Sequence, residues 1–346
     1  MTDERREVQE AEARDHRAVG DDAVSRVRWG AVVGFSLLAC GLAWLVALPM
    51  WLSGGPEAPN LSLLISATGA IMMFTPAVAA LITMFAWRLP ASDRARSLGL
   101  WPLRPARCVV WFSVGAIFAP LAIVVLVIAV SAALGLVRLD LIEFSGAREL
   151  IEAQLATLGP AAPDASSALP PIGVIVAVQV AMIPVGALVN SVFALGEELG
   201  WRGWLLPALR PLGVWPAILI SGVIWGVWHA PLILVGYNFG YTDWRGVALM
   251  IGGCVAWGAL LSWARLRSGS VWPAVIGHGA LNASAGLVTM LVAAGAAPDM
   301  GLVGPLGMVA WLVIAVIVVV LVLTGQFSRE PQLAARRDRS AEPPST

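Results

Sequence analysis

The chain has 346 residues, of which 58% are hydrophobic and only 13% charged. A water-soluble domain carries charge on about one residue in four, so a soluble globular protein is excluded and a polytopic membrane protein is indicated. The formal net charge is zero and lysine is absent, which leaves no basic footprint for a nucleic acid.

Residues 1–28 mix Asp, Glu and Arg with few large apolar groups, and they read as a polar cytoplasmic tail without a cleavable signal. Eight apolar runs follow, over 30–51, 61–87, 109–136, 175–195, 215–235, 247–263, 271–294 and 303–323. Each is about as long as a helix needs to cross a bilayer. The expected fold is therefore all-α, a polytopic membrane bundle of about eight transmembrane helices. Residues 137–171 form a long polar insertion with an amphipathic first part and an Ala/Pro/Ser-rich second part. Residues 328–346 are rich in Arg, Glu and Pro and read as a disordered cytoplasmic tail.

Arginine alternates with loop parity. It is dense in the N-tail, in 88–107, 196–214 and 264–270, and in the C-tail, and absent from 52–60 and 297–302. Both termini are expected in the cytoplasm by the positive-inside rule, with the protein in the plasma membrane. The three cysteines, Cys40, Cys108 and Cys254, fall far apart inside apolar runs. They read as small core residues, neither a disulfide framework nor metal ligands.

The chemistry concentrates after the fourth run, in Glu197-Glu198-Leu-Gly-Trp-Arg202. Ionisable groups inside or beside a membrane span are costly unless paired or set in a wet cavity. On a helix Glu198 and Arg202 are four apart and pair. Glu197 is rotated about 100° away, lacks that partner, and is the candidate base. Two of the three histidines also lie in apolar runs. Trp225 and His229 share one helix face, as do His278 and Asn282. A carboxylate can take a proton from water, an imidazole can hold that water, and amide or imidazole N–H groups can stabilise an oxyanion. The set Glu197, His229 and His278 could equally hold a divalent metal such as zinc with an open water position. A glutamate mechanism needs no metal, so the cofactor stays open at this point.

The three motifs, EExxxR at Glu197–Arg202, an aromatic-xxxH at Trp225–His229 and HxxxN at His278–Asn282, resemble those of the CPBP family. That family comprises the type II CAAX prenyl endopeptidases and their bacterial Abi-type relatives. The usual aromatic of the second motif is Phe, and here it is Trp225. The resemblance covers roughly 172–296, a protease-like core preceded by helices and a polar loop over 29–171 and followed by a last span over 297–327. It implies an intramembrane endopeptidase acting on a protein or peptide substrate near the cytoplasmic face, with a cavity opening to the cytoplasm. By the resemblance, Glu197 and His229 activate water, and His278 with Asn282 form the oxyanion site. Glu198, Arg202 and Trp225 are supporting.

Plainer readings compete. Glu198–Arg202 reads as a structural pair, and Trp201, Trp204, Trp215, Trp225, Trp228 and Trp272 chiefly as packing or interface residues. The same features also suit a non-catalytic membrane scaffold or immunity-type protein, or a proton-coupled transporter carrying its proton on Glu197. One difficulty attends the enzyme reading. By helical rise Glu197 sits at the end of its span, while His229 lies about 20 Å and His278 about 10 Å into theirs. Convergence then needs kinks or late starts, which Pro184, Pro207, Pro216 and Pro273 could supply.

Overall fold

The computed structural model describes residues 26–87, 91–156 and 169–328. The polar tails outside 26–328, Arg88 and most of the Ala/Pro/Ser-rich linker lie outside the described residues. The described chain is an all-α membrane bundle, and among the described residues the only β pairing is an isolated bridge between Leu139 and Val292.

Helix α1 is Trp29–Leu52, and α2 (Leu61–Met72) and α3 (Thr75–Ala86) form one broken span. Helix α4 is Ala91–Ser97, α5 is Ala106–Ala133 and α6 is Ser145–Ala156. Helix α7, Ile172–Glu198, continues as π-helical Leu199–Leu205, one α-turn Leu206–Leu209 and 3-10 Arg210–Leu212. Then come α8 (Val214–Trp228), α9 (Ala230–Ile233), α10 (Trp244–Ser268), α11 (Trp272–Ser284), α12 (Leu287–Leu291), α13 (Met300–Val303) and α14 (Met308–Leu323).

Seven helical stretches among the described residues are long and apolar enough to cross a membrane. The eighth expected span is a shorter apolar helix, α8, of 15 residues. It ends at Trp228 with His229 as its cap: Pro231 has no N–H to continue the ladder and sits instead in the first turn of the short next helix, Ala230–Ile233.

The stretch 196–214 is not the loop its charges suggested. It is helical, and Trp201, Arg202, Leu205, Leu206 and Leu209 are buried in it. This removes the depth difficulty for His229. Beyond Glu198 the chain advances about 20 Å further, and α8 returns about 22 Å, so His229 comes back to the level of Glu197. Of the prolines held to supply kinks, only Pro184 lies inside a long helix; Pro207 and Pro273 open theirs. Helix α11 packs most extensively on α7 and on α5, and α8 on α10. Glycines set the spacing. A Cβ on Gly226 would stand 2.5 Å from the Ile251 Cα of α10, and one on Gly196 would stand 2.6 Å from the Met73 carbonyl at the α2–α3 break.

The two ends of the bundle differ. One end holds Trp87, 91–108, 199–213, 263–272 and both described chain ends. There Val271 N–H donates to Gly99 O, the Trp272 indole donates to Leu100 O, and Trp215 lies on Phe327. The other end holds 52–60, 134–147 and 286–300. There Asp140 accepts from the N–H groups of Ile142, Glu143 and Ser145 and from the Ser145 hydroxyl. The same hydroxyl accepts from Ala294 N–H, and Ala293 N–H donates to Arg138 O, so this turn clasps the segment after α12.

Those donors hold the Asp140 carboxyl down at about 2. A depressed carboxyl adds stability that is present above its unfolded value, about 3.9, and lost as pH falls through the folded one. The clasp is therefore expected to survive to about pH 4 and to open only in stronger acid. Amide hydrogen exchange of 142–145 and 293–295 against pH checks this, and Asp140→Ala should raise exchange there already at neutral pH.

Candidate active site

Three chain segments bring the motif residues to one place. Glu197 is 2% exposed, Glu198 0%, Arg202 1%, His278 4% and His229 7%. Five ionisable side chains are thus taken out of water together, which is tolerable only if they satisfy one another.

They do so largely through Glu198. Its Oε1 accepts from Arg202 Nη1 at 2.9 Å and from His278 Nδ1 at 2.9 Å. The expected Glu198–Arg202 pair is present, and the same carboxylate also orients His278. The Arg202 guanidinium lies over the Trp225 ring, 4.3 Å from its centre, in cation–π contact. The Arg202 carbonyl accepts from Arg265 Nε at 3.2 Å, and Arg265 is itself buried. Arg265 therefore pins the π-helical turn that carries Arg202. Such turns recur at functional sites.

Glu197 is separate from this pair, as the helical rotation required, yet it is not without partners. Its Oε2 accepts from the Trp225 indole at 2.6 Å and from the Trp201 indole at 3.3 Å. Its Oε1 faces His278 Nε2 at 4.0 Å. Trp201 and Trp225 are thus more than packing or interface residues. The sequence reads Trp201 as a packing or interface residue, although it is four residues from Glu197, the same spacing that pairs Glu198 with Arg202.

His229 Nδ1 lies 2.9 Å from Trp225 O. A carbonyl can only accept, so Nδ1 carries the proton and the neutral ring keeps its lone pair on Nε2. The ring meets Trp228 edge to face, and the Trp228 indole donates to Thr75 Oγ1. Cys254 Sγ is 3.9 Å from His229 Nδ1. One of the three cysteines, remote from the motifs in sequence, therefore touches the site.

Glu197, His229, His278 and Asn282 line one cavity of about 570 Å³, together with Trp225, Tyr237 and Asn190. Asn282 is exposed to it, one helical turn past His278. Among the described residues no three His, Cys, Asp or Glu side chains form a group that could hold a metal ion. The candidate trio does not fit a metal as arranged, and no step below runs through one.

The close approach of α11 to α7 depends on Gly279. A Cβ there would strike the Ala187 carbonyl and stand 2.8 Å from Ser191 N, both in α7. Gly279→Ala is expected to cost about 1–3 kcal/mol by overpacking and to lower turnover by moving His278 off Glu198. Melting temperature and activity of the purified variant check it.

The fold and site define an integral membrane protein with a buried Glu-Glu, His, His centre held by indole and guanidinium groups. Residues 178–284 match the family model described as Type II CAAX prenyl endopeptidase Rce1-like. The matched segment contains all three motifs, and it bears out the resemblance read from them. CAAX prenyl protease 2 of Methanococcus maripaludis is 30% identical over 93 residues, 25% of this chain and 34% of that protein. The chain thus spans about a third of the length of the curated relative it matches.

Proposed function

We propose that the protein is an intramembrane endopeptidase that hydrolyses a peptide bond of a protein or peptide substrate with a glutamate- and histidine-activated water. The observation that carries this reading is the division of labour between adjacent carboxylates. Glu198 is committed to Arg202 and His278, whereas Glu197 reaches the cavity with only indole donors on one oxygen.

Glu197 Oε1 takes a proton from a water in the cavity. The water oxygen bonds to the carbonyl carbon of the substrate, and the carbonyl oxygen becomes an oxyanion. His229 Nε2 accepts a hydrogen bond from the water and orients it. The Asn282 amide, and His278 through Nε2 when that atom carries a proton, donate to the oxyanion. The carbon–nitrogen bond then breaks, and Glu197 returns its proton to the departing amine. Glu198 keeps His278 in one orientation by holding Nδ1, and Trp225 and Trp201 fix the Glu197 rotamer.

By helical count His278 lies about 9 Å from the arginine-rich end of α11. Cleavage near the cytoplasmic face follows if that end faces the cytoplasm. The test is comparative membrane proteomics of cells carrying the parent or Glu197→Gln. A polypeptide that accumulates uncleaved in the variant supports the reading, and identical membrane proteomes would sink it.

A further inference from the structure

We propose that Tyr237 is a further catalytic residue, whose phenol hydroxyl donates a hydrogen bond to the carbonyl oxygen of the scissile peptide as that oxygen becomes an oxyanion. This rests on the peptidase reading and adds a donor to the same site.

The turn that carries Tyr237 hangs from His229. Leu232 N–H donates to His229 O at 3.0 Å, and Tyr237 N–H donates to Leu232 O at 3.2 Å. Two backbone hydrogen bonds thus tie the tyrosine to the histidine that orients the water. Between α9 and α10 the chain is held in one tight shape. Gly236, Asn238 and Gly240 have positive φ, of 94°, 67° and 75°. Asn238 is the non-glycine among them, and asparagine is one of the few side chains that adopt this backbone routinely. Gly240 N–H donates to Gly236 O, and Phe239 N–H to Tyr237 O. Val235 and Phe239, on either side of Tyr237, are buried. Gly246 at the start of α10 lets α9 lie close, since a Cβ there would stand 2.8 Å from Ile233 Cγ2. The turn is therefore a rigid support, and a side chain on it has a defined place.

Tyr237 stands where it can touch a substrate. It lines the cavity with Glu197, His229, His278 and Asn282, and 39% of its surface is accessible. Among the described residues its hydroxyl has no hydrogen-bond partner. The chain's other tyrosine differs. Tyr241 donates to Asp299 Oδ2 at 3.3 Å and carries the Arg245 guanidinium over its ring, so its hydroxyl is satisfied within the fold. An enclosed tyrosine ordinarily bonds its hydroxyl to a partner. A phenol left free in the cavity of the Glu197 and His229 pair is set to bond a ligand there. A tyrosine of the interface belt, the plainer reading, has no reason to share a lining with a buried carboxylate.

Its chemistry suits one step. Enclosure by the cavity walls, and then the Glu197 charge, raise the phenol above its ordinary value, so at neutral pH it keeps its proton and can donate. The departing amine already receives the proton held by Glu197. The oxyanion, by contrast, gains from each further donor aimed at it. Asn282 and His278 approach it from α11, and Tyr237 from the turn after α9. No covalent bond to the phenol forms or breaks, and its proton stays on its oxygen.

The experiment compares the purified full chain with Tyr237→Phe and Tyr241→Phe, using as substrate the polypeptide that accumulates in the Glu197→Gln membranes. Tyr237→Phe keeps the ring and removes a hydroxyl that no protein group needs, so the melting temperature should stay at the parent's. Its kcat should fall about 100-fold, the low end for one oxyanion donor. An interaction made only in the transition state lowers kcat and kcat/KM equally, so KM should hold. Tyr241→Phe, whose hydroxyl bonds Asp299, should turn over at the parental rate. A parental kcat in Tyr237→Phe overturns the inference. So does a raised KM with kcat unchanged, which would make the phenol a ground-state contact only. An equal loss in Tyr241→Phe would assign the effect to the shape of the turn and overturn it too. If no polypeptide accumulates in the Glu197→Gln membranes, the peptidase reading itself has failed. If one accumulates and Tyr237→Phe cleaves it at the parental rate, this inference alone has failed.

Discussion

Glu197→Gln is expected to lower turnover at least about 100-fold, the low end for a general base, while the melting temperature stays close to the parent's. The structure explains why the two effects separate. Both indole donors point at one oxygen, Oε2, and the glutamine oxygen can accept them in the same place. The new amide then occupies the Oε1 position, 4.0 Å from His278 Nε2. With Nδ1 donating to Glu198, a neutral His278 offers a lone pair on Nε2, which a small side-chain shift brings within the amide's reach, and the amide otherwise faces the cavity. No buried polar group loses its partner, which is the usual cause of a large stability loss. What disappears is the group that takes the proton. Turnover is measured on the polypeptide that accumulates in the Glu197→Gln membrane proteome. A variant that unfolds would mean that the Glu197 charge is structural. A folded variant of undiminished activity would remove Glu197 from the mechanism.

The helical core and the motif pairs were legible in the sequence because both depend on local spacing. Apolar runs of about twenty residues give spans, and the i,i+4 rule gave Glu198–Arg202, which the structure contains at 2.9 Å. The 196–214 stretch was misread because loop charge and apolar length cannot distinguish a polar loop from a buried helix whose arginine is neutralised inside the fold. The contact of Glu198 with His278, 80 positions on, depends on how α11 lies against α7. That packing is set by a glycine, and a glycine in an apolar helix has many possible causes.

The other large effect is expected at Glu198 and Arg202, and it falls on stability first. In Glu198→Gln the amide oxygen can still accept from Arg202 Nη1 and His278 Nδ1, but the negative charge is gone. Arg202 is then a cation at 1% exposure with only the Trp225 ring and neutral acceptors around it. The glutamine N–H group meanwhile stands where Glu198 Oε2 has no hydrogen-bond partner. Removing one member of a buried pair costs about 3–5 kcal/mol, and the orphaned donor adds to it. Arg202→Gln strands the carboxylate instead, with His278 as its remaining partner, and should cost a similar amount. Turnover falls in both variants because His278 and the ring above Glu197 lose their fixed positions. The double variant Glu198→Gln/Arg202→Gln removes both charges and leaves neither stranded. It should be destabilised by less than the sum of the singles, with a coupling on the order of 1–3 kcal/mol. Melting temperatures of the three purified variants in one detergent measure this. Additive losses would mean that the two charges do not sustain each other. A Glu198→Gln protein of parental stability with no activity would give Glu198 the catalytic role assigned here to Glu197.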